Sequence, residues 1–112
     1  MKVSTLTQTL NLRQLTAFGT HDEEFMHGFA CDLLSEVIGS APDKSVWITV
    51  QTHKNVIAIA SLRELSAVIL ASGHLPDQET IEAANKENVL LLSSTLDTFT
   101  LAGNIFSLLA TI

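Results

Sequence analysis

Three short apolar runs, Val46–Val50, Ala67–Ala71 and Val89–Leu92, each end in a cluster of small polar residues, and each cluster opens a segment able to form a helix. The clusters are Gln51-Thr52-His53, Ser72-Gly73-His74 and Ser93-Ser94-Thr95. Val46–Val50 is rich in β-branched residues and carries the only tryptophan, which marks a strand. Val68–Leu70 reads as a second strand. Val89–Leu92 reads as a third, buried on both faces because its apolar residues do not alternate. Between them, Asn55–Leu65 carries alanines and an Arg63-Glu64-Leu65 ending that favour a buried helix over a strand. Asp77–Glu87 reads as a helix capped by Asp77, with Glu79 in its first turn and Ile81 and Ala84 facing inward. Thr95 is placed to cap a last helix, in which Phe99, Ala102, Gly103, Phe106 and Leu109 recur at helical spacing as core residues.

Strand–helix–strand–helix–strand–helix in succession implies right-handed crossovers and a parallel sheet. The fold class that follows is α/β, three-layer, with a mostly parallel sheet flanked by helices in a single domain spanning 1–112. The N-terminal third fits around this frame. Ser4 precedes a short helix, Thr5–Leu10; Arg13–Phe18 is a strand ended by Gly19; Gly28–Cys31 is another; and Asp32 caps a helix Leu33–Ile38 that Gly39 terminates. One or two of these strands add to an edge of the sheet. At 112 residues the chain suits one domain.

Charge and composition narrow the partners. Six Lys and Arg against twelve Asp and Glu give a formal charge of −6. The basic residues (Lys2, Arg13, Lys44, Lys54, Arg63, Lys86) are scattered rather than clustered, which argues against nucleic acid and against anionic membrane surfaces. No uncharged apolar tract reaches 18 residues and no secretory cleavage pattern is present, so a cytoplasmic protein is expected. Hydrophobic residues make up 46% and the mean hydropathy is +0.33, an apolar composition for a small domain. A homodimer that covers part of that surface is the expectation.

Candidate chemistry divides between plain and specific readings. If the three runs are parallel strands, their polar clusters share the sheet edge where open α/β folds bind ligands. Thr52, Asp77 and Thr95 suffice as helix caps. Gln51 and His53 add side chains that capping does not require, and Lys54 offers a cation for a phosphate or carboxylate. The ligand-binding set on this edge is Gln51, Thr52, His53, Lys54, Ser72, Gly73, Ser94 and Thr95. The group His21, Asp22, Glu23, Glu24 and His27 matches no known ligand spacing and reads as a solvated acidic loop, so neither metal nor cofactor is assigned. Cys31 reads as a small buried hydrophobe. Neither a G-x-S-x-G elbow nor a G-x-x-x-x-G-K-[ST] loop occurs. An acid–base pair of His53 with Asp32 is the weakest reading.

The runs GFACDLLSEVIG, VWITVQTHKNVIAIASLREL and VILASGHLPDQETIEAANKENVLLLSSTLDTFTLAGNI resemble the DRTGG domain family over nearly the whole chain. The combination Q-T-H before an apolar helix, then P-D-x-E-T and S-T-x-x-x-F, carries the resemblance, which is nearest to the short stand-alone members. The signature that names the family falls on Asp22–Gly28, where this chain keeps only Asp22 and Gly28, so the loop's role elsewhere does not transfer. The resemblance implies a fold related to the N-terminal domain of HPr kinase/phosphorylase, without that protein's separate catalytic P-loop domain. It also implies a regulatory, dimerising module of the kind that accompanies CBS pairs in regulated pyrophosphatases, and a setting in redox or energy metabolism; it supplies no catalytic residues. The function expected is therefore a non-catalytic regulatory module, not an enzyme, sensing a small anionic metabolite or nucleotide as a homodimer. The alternative is a protein-interaction adaptor for a metabolic or redox enzyme, with no small-molecule ligand.

Overall fold

Every residue of Ser45–Thr49, Ala67–Leu70 and Leu91–Ser93 is buried, as strands covered on both faces must be. The computed structural model describes residues 1–17 and 23–111. Along the chain these form α1 (Val3–Thr9), β1 (Arg13–Gln14), β2 (His27–Ala30), α2 (Leu34–Ser40), β3 (Ser45–Thr49), α3 (Asn55–Leu62), β4 (Ala67–Leu70), α4 (Gln78–Lys86), β5 (Leu91–Ser93) and α5 (Thr98–Leu109). The sheet order is β1-β5-β4-β3-β2. Strands β2 to β5 run parallel, and β1 runs antiparallel to β5. The N-terminal strands therefore sit at both edges of the sheet rather than at one.

Because a strand's side chains alternate between faces, each strand divides its residues between two cores. Trp47, Val68, Leu70 and Leu91 join Val37 of α2, Val56 and Ile57 of α3 and Ala84 of α4 on one side. Ile48, Ile69 and Leu92 join Val3 and Leu6 of α1 and Leu101 and Ile105 of α5 on the other. The result is the three-layer α/β domain that the apolar runs imply. Strands that step in one direction with right-handed crossovers must place their connecting helices on one face. α2, α3 and α4 obey this, and α5 breaks away to the opposite face, where it packs on β2 and β3.

Several local assignments shift. α1 begins at Val3 with Lys2 as N-cap, so Ser4 lies inside the helix rather than before it. Asp32 does not cap α2, whose N-cap is Leu33, and Gly39 lies within that helix instead of ending it. The carboxylate of Asp32 is drawn to β3, where Oδ1 accepts from Thr49 Oγ1 at 2.7 Å and from the Val50 N–H at 2.9 Å. Strand β1 is two residues long, and the rest of the expected Arg13–Phe18 strand pairs less regularly, through a Leu15 N–H bond to the Leu91 carbonyl at 2.8 Å. Phe18 and Gly19 at its expected end, and His21 and Asp22 of the acidic loop, lie outside the described residues. Cys31 is half-buried, not buried, and its Sγ donates to the Leu33 carbonyl at 3.5 Å.

Two helices carry the N-cap chemistry that the strand ends suggested, though not always from the expected residue. Asp77 caps α4 by accepting the Thr80 N–H at 2.9 Å. Asp97, not Thr95, caps α5 by accepting the Thr100 N–H at 2.7 Å. The backbone bonds from Thr80 and Thr100 hold both carboxyls below the ordinary 3.8. A depressed folded-state value means the stabilisation is present above the unfolded value and is lost as pH falls through the folded one. Acidification through that range should lower the melting temperature. Asp77→Ala and Asp97→Ala, each less stable near neutrality, should show a shallower acid limb in circular dichroism melts; an unchanged limb would refute the assignment.

Candidate functional site

Register decides where the polar clusters lie. Thr49 pairs with Leu70 and Leu70 with Ser93, so β3, β4 and β5 end level with one another. Their downstream turns share the C-terminal rim of the sheet. β1, being antiparallel, begins where the others end, with Arg13 opposite Ser93. A basic side chain from the start of the chain is thereby delivered to the rim. Arg13 was not in the expected set. Reading its strand as antiparallel would have placed it there, since a strand entering from the rim presents its first residue where a parallel strand presents its last.

The rim residues form two groups. Gly73, Ser94 and Thr95 line a cleft of about 360 Å³ together with Arg13, Asn11 and Leu75, with Leu10, Ser93 and Leu96 completing its walls. Ser72 neighbours this cleft without lining it. The turn Ser72-Gly73 holds both residues at positive φ, 60° and 72°, which glycine accepts freely and serine does not. That turn is fixed by Ser72 N–H donating to the Leu96 carbonyl at 2.7 Å and Gly73 N–H to the Ser94 carbonyl at 2.8 Å. Ser94 Oγ accepts the Leu96 N–H at 3.1 Å, which leaves its own proton free to donate outward. Arg13 is exposed and makes no ion pair with a described residue.

Gln51, Thr52, His53 and Lys54 lie on the same rim, outside the lining of this cleft. Gln51 Nε2 donates to the Asp32 carbonyl at 3.2 Å, and the Thr52 carbonyl accepts from Thr80 Oγ1 at 3.1 Å. Thr52 does not cap α3. The cap residue is Lys54, and His53 Nδ1 accepts the Asn55 N–H at 3.1 Å instead. Lys54 Nζ donates to Glu79 Oε1 at 2.6 Å, a hydrogen bond that raises the lysine above its ordinary value. With 53% and 66% of the two side chains exposed, that pair adds little stability. It does, however, occupy the cation. His53 and Asp32 are each committed elsewhere by hydrogen bonds, His53 to α3 and Asp32 to β3.

These bonds decide what the rim can hold. A helix N-terminus attracts anions through its free N–H groups, but α4 and α5 already present carboxylates there. Ser72 and Gly73 have spent their N–H groups on the neighbouring turn. What remains for a ligand is the guanidinium of Arg13, the hydroxyls of Ser94 and Thr95, the amide of Asn11 and a wall of leucines. A single cation beside hydroxyl donors and apolar walls suits a small ligand that joins one anionic group to an apolar body. Among the described residues, no group of three or more His, Cys, Asp or Glu side chains is arranged to hold a metal ion, and no helix is long and apolar enough to cross a membrane.

The DRTGG domain family model matches residues 27–108. No curated protein sequence matches the chain. Among solved structures, the fold is similar to the CBS and DRTGG domains of the regulatory region of Clostridium perfringens pyrophosphatase, complexed with its activator diadenosine tetraphosphate. The TM-score is 0.70 at 17% identity, and the match covers 90% of this chain and 44% of that one. This chain therefore corresponds to less than half of that regulatory region.

Proposed function

The chain belongs to the DRTGG domain family, and from that premise we propose that it is a non-catalytic regulatory module that senses a small anionic metabolite or nucleotide at the C-terminal rim of its sheet and works as a homodimer. The observation that carries this reading is the cleft in which Arg13, Ser94, Thr95 and Gly73 meet. Its volume of about 360 Å³ lies in the range of small-molecule sites. One guanidinium matches one phosphate or carboxylate, so the ligand expected is a monophosphate or monocarboxylate with an apolar or heterocyclic body, rather than a polyphosphate. Gln51, Thr52, His53, Lys54 and Ser72 form the shoulder of the same rim in this reading. Redistribution of Lys54 away from Glu79 would bring a second cation to a larger ligand. The sequence holds no P-loop and no nucleophile elbow, which fits a sensor.

A thermal-shift series with AMP, ATP, acetyl phosphate, inorganic phosphate and diadenosine tetraphosphate tests this. The last is included because the similar pyrophosphatase regulatory region is complexed with it. A ligand present at ~100 times its dissociation constant stabilises the folded state by about 2.7 kcal/mol, well within the reach of such a screen. AMP is expected to shift the melt and inorganic phosphate alone to shift it less. Silence across the anions would remove the sensor reading. The adaptor reading would then stand, supported by the exposed aromatic face of α5, where Phe99 and Phe106 lie in solvent.

A further inference from the structure

Beyond Asp97 the chain has no ionisable side chain, although the protein as a whole carries −6. Within that stretch Thr98–Leu109 form α5, which buries Leu101 and Ile105 against β2 and β3. On its outer side Phe99, Gly103 and Phe106 follow one another at i, i+4 and i+7. The two rings are 89% and 75% exposed, and a Cβ on Gly103 would meet nothing within 4 Å. This stripe forms one wall of a groove of about 360 Å³ between α5 and the edge strand β2. Its lining includes Gly28, Ala30, Phe106 and Leu109 and contains no charged residue. β2 itself, His27–Ala30, carries neither the lysine nor the proline that commonly blunts an exposed edge.

We infer that this face, the outer side of α5 with the edge of β2, is where two copies of the chain pair about a two-fold axis. The inference rests on the proposed pairing and is independent of the rim ligand. An isologous interface needs protrusion and recess on the same surface, because each copy must receive what it offers. α5 supplies both: Phe106 of one copy enters the groove beside Gly103 of the other, and the exchange is reciprocal. Small residues between the rings allow the helices to approach closely. Area favours the same occupant. A phenylalanine side chain buries about 150–250 Å², so two rings this exposed bring roughly 300 Å² per copy and about 600 Å² to the pair. That is about half of the ~1,200 Å² from which stable interfaces start, and the groove walls with the β2 edge are available for the remainder. Two acidic copies repel one another everywhere except across an uncharged face, and a foreign partner selected by charge finds none here to read.

Sedimentation velocity on the wild type, Phe106→Asp and Gly103→Arg tests the inference. The wild type is expected to be dimeric at micromolar concentration, with pairing that tightens as salt screens the repulsion of the two acidic bodies. Each variant is expected to weaken pairing at least about thirty-fold, as loss of a central hot-spot contact does. Neither should disturb the protomer, since both positions face solvent. Gly103→Arg also replaces a helix-interior glycine with a better helix former, so its far-UV dichroism should equal or exceed the parent's. Reduced dichroism would mean lost folding rather than lost pairing, and Phe106→Asp would then decide alone. A wild-type dimer that both variants preserve would overturn this face while leaving the pairing. A monomeric wild type would overturn both and leave the ligand reading intact. A monomeric wild type that captures a different protein, and loses it in Phe106→Asp, would also overturn the inference, by giving the face to an adaptor.

Discussion

Trp47→Ala is expected to cost about 3–5 kcal/mol, the range for removing a large aromatic from a packed core. The indole is fully buried in the middle of β3, flanked in the sheet by Phe29 and Val68. Around it, the helix-side core is closed by Val37 and Ala41 from the α2 region and by residues of α3. Its Nε1 donates to the Cys31 carbonyl at 2.8 Å, so the ring also fastens the end of β2. Domains of this size hold only about 5–15 kcal/mol in total, which makes such a loss a large fraction of the whole. The melting temperature should fall by on the order of 10–25 °C, followed by far-UV dichroism because the fluorophore is gone. Trp47→Phe separates the two contributions. It keeps most of the apolar volume and strands the Cys31 carbonyl, for a smaller loss of roughly 1–2 kcal/mol. A fall of less than about 1 kcal/mol in the alanine variant would mean that this core does not depend on its largest member.

The second large effect concerns the rim. Once a stabilising anion is in hand, Arg13→Gln is expected to weaken its binding about 10–100-fold by titration calorimetry, the equivalent of one charge-assisted contact of roughly 1.5–3 kcal/mol. Lys54→Gln should leave the affinity for a small monoanion within about twofold, because Lys54 does not line the cleft that Arg13 lines. The reverse pattern, with Lys54 essential and Arg13 dispensable, would move the site to the turn after β3. Ser94→Ala should lie between the two, since its hydroxyl also supports the turn through Leu96.

The central run of the molecule, from β3 through α4, is legible because each element has a local cause. β-branched residues fill β3, an aspartate sits at the N-cap of α4, and uninterrupted apolar stretches mark strands buried on both faces. Misplaced caps have a non-local cause. The turn after β5 runs on past Thr95 because the Leu96 carbonyl is held by Ser72 and the Ser94 carbonyl by Gly73, bonds between loops some 20 residues apart that no local pattern announces. α5 shows a different limit. Phe99, Ala102, Gly103 and Phe106 make one apolar stripe and Leu101 with Ile105 another, and periodicity cannot choose between two stripes that both lack charge. The sheet chose Leu101 and Ile105, leaving both phenylalanines exposed instead of in the core. For the site, the level ends of β3, β4 and β5 follow from strand direction, whereas the arrival of Arg13 depends on which edge β1 takes and in which sense.

That edge has an entropic signature of its own. β2, β3, β4 and β5 each zip onto a near neighbour in the chain, whereas Arg13 must find Ser93, roughly 80 residues away. Closing so wide a ring costs about 1 kcal/mol more than closing the one between β4 and β5, and a two-residue ladder with the Leu15 bond to Leu91 beside it holds it shut. The guanidinium thus rides on a short edge strip, so a molecule that grips it together with Ser94 also clasps that strip to the turn after β5.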